Sequence, residues 1–166
     1  HLPNIARYRI AVTEKTGDID FYHYDDKSGA HSTIPNVPLP FDKRKMTVPA
    51  TDLDSYLKDR GVARVDVIKM DIEGGESAAF RGMEQTLDGA RFLFTEFAPA
   101  WIEAAGSSPS SFLRSIEARG FQISAIAQSG LVRLSPVCDT HVLSLIPTPK
   151  DNSHASEFIN LYCVRE

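Results

Sequence analysis

One segment, residues 65–76, constrains the fold of this chain more than any other. It reads Val-Asp-Val-Ile-Lys-Met-Asp-Ile-Glu-Gly-Gly-Glu, so an apolar strand leads directly into carboxylates and two glycines, and a helix follows. Apolar side chains alternate onto both faces of the strand, which is typical of a parallel strand covered on both sides. In α/β sheets the carboxyl ends of such strands gather ligand-binding side chains at one edge.

Strand and helix patterns alternate along the rest of the chain, which predicts an α/β fold with a mainly parallel sheet. Strands are expected over residues 5–13, 19–24, 45–48, 64–70, 91–97, 121–127 and 158–164. Three helices are expected between them. The first is capped by Thr51, with Asp54 completing a capping box. The second starts at Gly75 and the third starts after Ser108. The long proline-bearing stretch 25–44 is expected to be a loop, and loops of that length are usually functional.

Length and composition limit the class of protein. The 166 residues are most simply one domain spanning residues 1–166. The net charge of −4 argues against a nucleic-acid partner, and no apolar run reaches the length of about 18 residues that a membrane span needs. No signal peptide is visible and the two cysteines fit a reducing compartment, so we expect a cytoplasmic protein. The oligomeric state cannot be read from the sequence.

Four charged residues should converge at one sheet edge, because strands 64–70 and 91–97 are expected to be neighbours. They are Lys69, Asp71, Glu73 and Glu96. A structural ion pair between Lys69 and Glu96 is as good an interpretation as a catalytic one. Glu76 has a local use in the first turn of its helix. Nothing local requires an acid at Asp71, which makes it the first candidate for chemistry.

Residues 68–76, followed by Phe80-Arg81-Gly82, resemble the hallmark segment of the FkbM-type methyltransferases, in which a strand ending Lys-x-Asp continues as x-Glu-Gly-x-Glu. The resemblance extends over nearly the whole chain, through residues 9–22, 48–54, 94–96 and 160–164, although Asp52 stands where the family usually has leucine. It implies a Rossmann-like class I methyltransferase sheet with an antiparallel closing strand. It also implies S-adenosylmethionine-dependent methyl transfer, in many members to a hydroxyl group.

The family places a glycine-rich turn and a ribose-binding acid before these segments, and neither is present here. The resemblance therefore implies a domain that is incomplete at its N-terminus. Most of the S-adenosylmethionine site would lie outside the chain, and the chain alone would be inactive. Ala11 and Val12 would flank the adenine through their backbone. His31 and Ser32 would cover the acceptor, since Ser32 falls where the family often has serine.

Methyl transfer to oxygen requires that the acceptor hydroxyl be aligned and its proton removed. On this hypothesis Asp71 is the orienter or base, Glu73 and Glu96 bind acceptor hydroxyls or tune Asp71, and Lys69 offsets the repulsion among the acids. The acceptor is expected to be a small molecule or a glycan. Clustered acids also suit a divalent cation, which is the less favoured interpretation, and the histidines and cysteines have no metal-like spacing.

Two other functions remain open at this stage. The chain could be a non-catalytic binding or scaffold domain derived from a methyltransferase. It could also be a metal-dependent phosphodiesterase of the EAL type, whose fold has a strand ending in Lys-x-Asp as well. That family needs a Glu-Ala-Leu motif and further metal-binding acids, and neither is found in the sequence.

Overall fold

The computed structural model describes residues 4–25, 29–37, 39, 41–144 and 158–166. Within these residues the strands form two sheets. The three-stranded sheet has the order β1-β3-β2, from Ala11–Val12 (β1), Gly17–Tyr24 (β2) and Lys43–Thr51 (β3). The five-stranded sheet has the order β4-β5-β8-β6-β7, from Val67–Met70 (β4), Phe92–Phe97 (β5), Gln122–Ala127 (β6), Gly130–Arg133 (β7) and Ile159–Val164 (β8).

Strand pairing is mixed rather than mainly parallel. β4 runs parallel to β5 and β1 runs parallel to β3, whereas the other ladders of the described residues are antiparallel. The expected antiparallel closing strand is confirmed, because β8 lies between β5 and β6 and runs against both. The prediction of a mainly parallel sheet is wrong for the same reason. β5 and β6 run in the same direction and could form a parallel ladder. Because β8 lies between them and runs the other way, two antiparallel ladders form instead.

Six helices of the described residues pack on these sheets. They are Leu53–Asp59 (α1), Glu76–Arg81 (α2), Glu84–Gly89 (α3), Pro99–Ala104 (α4), Pro109–Ala118 (α5) and Asp139–Ser144 (α6). The main core joins the helices to the five-stranded sheet and includes Leu87, Ile102, Ile116, Leu161 and Cys163, all fully buried. No helix in the described ranges is long and apolar enough to cross a membrane.

Several element boundaries differ from the prediction. The expected strand 5–13 contracts to Ala11–Val12, since residues 4–9 are exposed to solvent. β3 is longer than expected because it pairs with β2 from Lys43 to Ala50. Thr51 ends β3, and Asp52 caps α1 instead by accepting a hydrogen bond of 2.8 Å from the Ser55 N–H. The expected loop 25–44 is shortened by β3, and its residues 26–28, 38 and 40 lie outside the described ranges.

The prediction that β4 is covered on both faces is also wrong. Ile68 and Met70 are buried, but Val67 on the other face is 54% exposed. Among the described strands β4 is hydrogen-bonded only to β5, at the edge of its sheet. The sequence pattern therefore predicts burial of both faces of β4, whereas the described residues bury only the face of Ile68 and Met70.

Four short elements were not expected from the sequence, namely α3, α4, β7 and α6. One contact explains α3. The carboxylate of Asp54 accepts hydrogen bonds from the N–H groups of Gln85 and Thr86, at 2.9 and 2.8 Å. Asp54 therefore caps a helix about thirty residues further along rather than its own, which no local pattern could indicate.

Candidate active site

The predicted acids do meet at the carboxyl edge of β4 and β5. The two strands are parallel and in register, with Met70 opposite Thr95, so Asp71 follows β4 at the level where Glu96 lies near the end of β5. Carboxylate oxygens of Asp71, Glu73 and Glu96 all lie within 4.8 Å of one another. The expected convergence of these side chains is therefore observed.

A sharp turn places Glu73 in this cluster. Glu73 has a φ of 52° and Gly74 a φ of 91°, so two successive residues are in the left-handed region. At Gly74 a Cβ atom would lie 3.1 Å from the carbonyl oxygen of Trp101 and 3.3 Å from Cγ1 of Ile34. Glycine is required at this position both by its backbone conformation and by the close packing of α4. The turn then leads directly into α2.

Ser32 supports the same turn through its hydroxyl group. Its side chain is buried, with 1% exposure. Its Oγ donates to the carbonyl oxygen of Glu73 at 2.5 Å and accepts from the N–H of Ile34 at 3.0 Å. The expected substrate contact thus belongs to a residue whose hydroxyl is already engaged inside the protein.

Burial and mutual repulsion shift the titration of two of the acids. Burial raises the pKa of Glu73 to about 7, and the charges of Glu96, Asp71 and Glu76 add to the rise. Burial likewise raises the pKa of Glu96 to about 7, with a further contribution from Asp71 and Glu76 that the positive charge of Lys69 opposes. A carboxyl group with a pKa near neutrality is suited to accept or return a proton at physiological pH.

Lys69 pairs with Asp71 rather than with Glu96. Its Nζ lies 3.1 Å from Oδ2 of Asp71, and both side chains are about half exposed. Residues two apart along an extended chain point to the same side, so this pair forms locally. The alternative of an ion pair between Lys69 and Glu96 is not observed, and Lys69 affects Glu96 only through its charge.

Glu76 is part of the scaffold of the turn. It is buried, with 3% exposure, and its Oε1 accepts a hydrogen bond of 3.2 Å from the N–H of Ile72. Burial raises the pKa of its carboxyl group, and the backbone N–H groups of Glu76, Ile72 and Gly74 oppose that rise. The carboxylate therefore joins the first turn of α2 to the segment that precedes it.

A cleft of about 330 Å³ opens next to the acid cluster. It is lined by Ile10, Ala11, Val12, Phe21, His31, Thr33, Asp71, Ile72 and Gly75. The predicted cofactor residues Ala11 and Val12 thus share one cleft with His31 and Asp71, whereas Ser32 does not line it. A cleft of similar volume, about 360 Å³, lies between α1 and α3 and contains none of the predicted site residues.

His31 is held in one orientation within this cleft. Its ring stacks on the ring of His23 with centroids 4.1 Å apart, and its Nδ1 accepts a hydrogen bond of 3.2 Å from the N–H of Tyr24. Because Nδ1 is the acceptor, the neutral imidazole carries its proton on Nε2. His31 is therefore prepared to donate a hydrogen bond rather than to act as a base.

Comparison with known sequences shows which family this constellation belongs to. The profile of the Methyltransferase FkbM domain matches residues 2–123, which is most of the chain. The chain belongs to the FkbM methyltransferase family. The 2-O-methyltransferase NoeI of Sinorhizobium fredii is 26% identical in an alignment of 108 residues, which covers 58% of this chain and 44% of that protein. The chain thus spans less than half of this relative, and no solved structure matches it.

Part of the wall of this cleft was not expected from the sequence. Phe21 and Thr33 line it, and Phe21 also contacts the ring of His31. The alternation along β2 contained the signal, because Phe21 and His23 lie on the same face of that strand. What the pattern could not show is which loop covers that face.

The three clustered carboxylates also have the composition of a site for a divalent cation. A bound cation would favour the ionised forms of Glu73 and Glu96, whose pKa values burial and mutual repulsion raise to about 7. We assign no cation here.

Proposed function

We propose that this protein transfers a methyl group from S-adenosylmethionine to a hydroxyl group of a small molecule or glycan, on a Rossmann-like sheet. Membership of the FkbM methyltransferase family supports methyl transfer in general. The observation that carries the finer proposal is the meeting of Asp71, Glu73 and Glu96 beside the cleft that Ala11 and Val12 line. A shared direction of β4, β5 and β6, with β8 inserted against them, supports the fold assignment.

The lining of the cleft fits part of S-adenosylmethionine. Ile10, Val12 and Ile72 form an apolar wall suited to a purine ring, and the carboxylate of Asp71 complements a positive charge in the same cleft. A volume of about 330 Å³ is at the lower end of the range for small-molecule sites. When bound, the cofactor supplies a methyl group activated by a positively charged sulfur atom.

Asp71, Glu73 and Glu96 have different roles in the proposed reaction. Asp71 faces the cleft and is exposed, so it accepts a hydrogen bond from the acceptor hydroxyl and orients its oxygen. Glu96 is buried and Glu73 partly buried, and burial raises the pKa of each to about 7, so the ionised member of the pair takes the hydroxyl proton. His31 donates a hydrogen bond from Nε2 to an oxygen or nitrogen of the bound molecule.

The charge of this edge also selects the acceptor. Three carboxylates lie together, and the nearby Lys69 is already engaged by Asp71. An acceptor that carries a phosphate or carboxylate would be repelled, whereas neutral hydroxyl groups donate hydrogen bonds to carboxylates. A neutral polyhydroxylated molecule such as a sugar therefore matches the site best.

The test is transfer of an isotope-labelled methyl group by the natural full-length protein to neutral glycans and to their phosphorylated or carboxylated analogues. We expect label on a hydroxyl oxygen of a neutral acceptor, weaker transfer to the anionic analogues, and strong loss of transfer in Glu96→Gln. Label found on an amine or carboxylate would reject the hydroxyl assignment. If the protein binds the glycans but no acceptor receives label, the non-catalytic binding domain becomes the better description.

A further inference from the structure

We propose that Ser32 is a positioning residue whose buried hydroxyl holds the backbone of Glu73 in the left-handed conformation that brings the Glu73 carboxylate to Asp71 and Glu96. This inference rests on the proposed function, because it gives Glu73 a part in proton removal. It also replaces the substrate contact that the sequence resemblance implies for Ser32.

The backbone of Glu73 needs external support. A φ of 52° is unfavourable for a residue other than glycine, and such conformations persist only where surrounding contacts hold them. The contact here is the hydrogen bond of 2.5 Å from the Ser32 Oγ to the Glu73 carbonyl oxygen, at the short end of the usual range for hydroxyl donors. Without it the peptide unit after Glu73 is free to rotate toward the right-handed region.

The direction of this hydrogen bond is determined by the surroundings of Ser32. The N–H of Ile34 donates to the same Oγ at 3.0 Å, so the hydroxyl hydrogen remains available for the Glu73 carbonyl, which can only accept. A hydroxyl in this arrangement has no remaining hydrogen to offer an acceptor molecule. The 1% exposure of Ser32 agrees with that conclusion.

Ser32 is itself firmly anchored. Its backbone exchanges two hydrogen bonds with Tyr22 of β2, at 2.8 and 3.1 Å. β2 in turn pairs with β3 from Gly17 to Tyr24. The Ser32 hydroxyl therefore connects the paired strands β2 and β3 to the turn after β4.

The turn is also closely packed at Gly74. A Cβ atom at Gly74 would lie 3.1 Å from the Trp101 carbonyl oxygen and 3.3 Å from Cγ1 of Ile34. The turn is therefore held between the loop that contains Ser32 and the helix α4. Rotation at Glu73 would swing its carboxylate out of the cluster toward solvent.

This arrangement connects the cleft to the acids. His31 and Thr33, on either side of Ser32, both line the cleft. A molecule bound in the cleft would therefore contact the segment that positions Glu73. Because Ser32 itself does not line the cleft, we expect it to act on turnover and not on the affinity for the acceptor.

The first test is the kinetics of Ser32→Ala in the natural full-length protein. We expect kcat to fall by up to about 100-fold, the scale of a misplaced catalytic group, with little change in the KM for the acceptor. Ser32→Thr, which keeps the hydroxyl, should recover much of kcat. The matched control is Ser115→Ala, since the Ser115 Oγ donates to the Phe112 carbonyl at 2.6 Å on α5, and its kcat should equal that of the wild type. A raised KM with an unchanged kcat would show a direct acceptor contact and overturn the proposal.

The second test needs no activity. Carbon-13 NMR titration of the Glu73 carboxyl group should give a pKa of about 7 in the wild type, where burial and the charges of Glu96, Asp71 and Glu76 raise it. In Ser32→Ala it should fall toward 4.5, because the carboxyl group moves to solvent. Ser32→Cys replaces the hydroxyl with a weakly donating thiol of similar shape, so it should shift the titration in the same direction even if Ser32→Ala does not fold.

The two tests separate the proposals. If the wild type transfers no methyl group but the Glu73 titration shifts as described, the proposed function fails and the role of Ser32 in holding Glu73 stands. If the Glu73 carboxyl group still titrates near 7 in both variants, the role of Ser32 is overturned, whether or not the protein is active.

Discussion

The Nζ of Lys69 lies 3.1 Å from Oδ2 of Asp71, and the two side chains are 55% and 51% exposed. An ion pair in such contact with water contributes about 0–1 kcal/mol to stability. Glu96, by contrast, is buried and lies beside two further acids. Lys69 therefore pairs with the exposed Asp71, and the buried Glu96 keeps a raised pKa.

We accordingly expect Lys69→Met to lower the free energy of unfolding by less than about 1 kcal/mol. It should also raise the pKa of Glu96, because the charge of Lys69 lowers it in the wild type. Lys45→Met is the matched control, since Lys45 pairs with Asp20 at 2.8 Å and is 60% exposed, and it should leave the Glu96 titration unchanged. Urea denaturation and carboxyl NMR measure the two effects. A coupling of several kcal/mol between Lys69 and Glu96 in a double-mutant cycle would contradict this description.

Asp71 and Glu76 should differ in what they contribute. Asp71→Asn keeps the shape of an exposed side chain and removes its charge, so methyl transfer should fall by about 100-fold with little change in Tm or cofactor affinity. Glu76→Gln places amide hydrogens against the backbone N–H groups that the buried carboxylate now accepts from. It should therefore lower the free energy of unfolding by about 1–3 kcal/mol and leave turnover largely intact.

Turnover, cofactor affinity and Tm of both variants are measured in the natural full-length protein. Normal turnover in Asp71→Asn would transfer the orienting role to Glu73 or Glu96. Loss of turnover in Glu76→Gln without loss of stability would instead place Glu76 in the chemistry.

The stability of the protein should fall as the pH rises from about 5 to about 7. In this window folded Glu73 and Glu96 still hold protons that the unfolded chain has released, because their pKa values rise from 4.5 to about 7 on folding. Calorimetry should give a lower Tm at pH 8 than at pH 5, and Glu73→Gln or Glu96→Gln should flatten the dependence.

Glu14→Gln is the control for this pH dependence. The hydrogen bond from Arg81 lowers the pKa of Glu14, so that carboxylate contributes stability that is lost only below the pH window above. Its replacement should leave the slope between pH 5 and 8 unchanged. A Tm that increases across this range in the wild type would show that the two acids are not held as described.

Gly82 should be intolerant of any side chain. A Cβ atom there would lie 1.9 Å from the carbonyl oxygen of Thr13, which follows the cleft residues Ala11 and Val12. Gly82→Ala should lower the free energy of unfolding by about 1–3 kcal/mol or more, since backbone atoms must move. Gly89→Ala is the matched control, because a Cβ atom at Gly89 meets nothing within 4 Å. Equal unfolding midpoints in urea for the two variants would contradict the close contact.

The polypeptide of residues 1–166 alone should bind S-adenosylmethionine poorly. Its cleft offers an apolar wall and the carboxylate of Asp71. The sequence contains no G-x-G-x-x-G-like turn of the kind that approaches such cofactors. Isothermal calorimetry measures the affinity, with the natural full-length protein for comparison. A micromolar Kd for the isolated polypeptide would show that the cofactor site lies within these residues.

The strand, turn and helix of residues 65–82 follow from local sequence patterns. Alternating apolar residues specify β4, glycine at position 74 permits the left-handed turn, and Gly82 ends α2. These features depend on neighbours a few residues apart, and their periodicity is visible in the chain. The convergence of Asp71 and Glu96 also followed, because the ends of adjacent parallel strands meet at one edge.

Which distant polar groups form hydrogen bonds with one another depends on the three-dimensional packing. Ser32 and Glu73 are 41 residues apart, and the hydrogen bond between them changes Ser32 from a predicted acceptor contact to a buried support. The insertion of β8 between β5 and β6 likewise set the antiparallel pairing of the sheet. The physical reason is that periodicity specifies which face of an element is apolar, whereas the partner of a polar group is specified by the packing that brings remote segments within hydrogen-bonding distance.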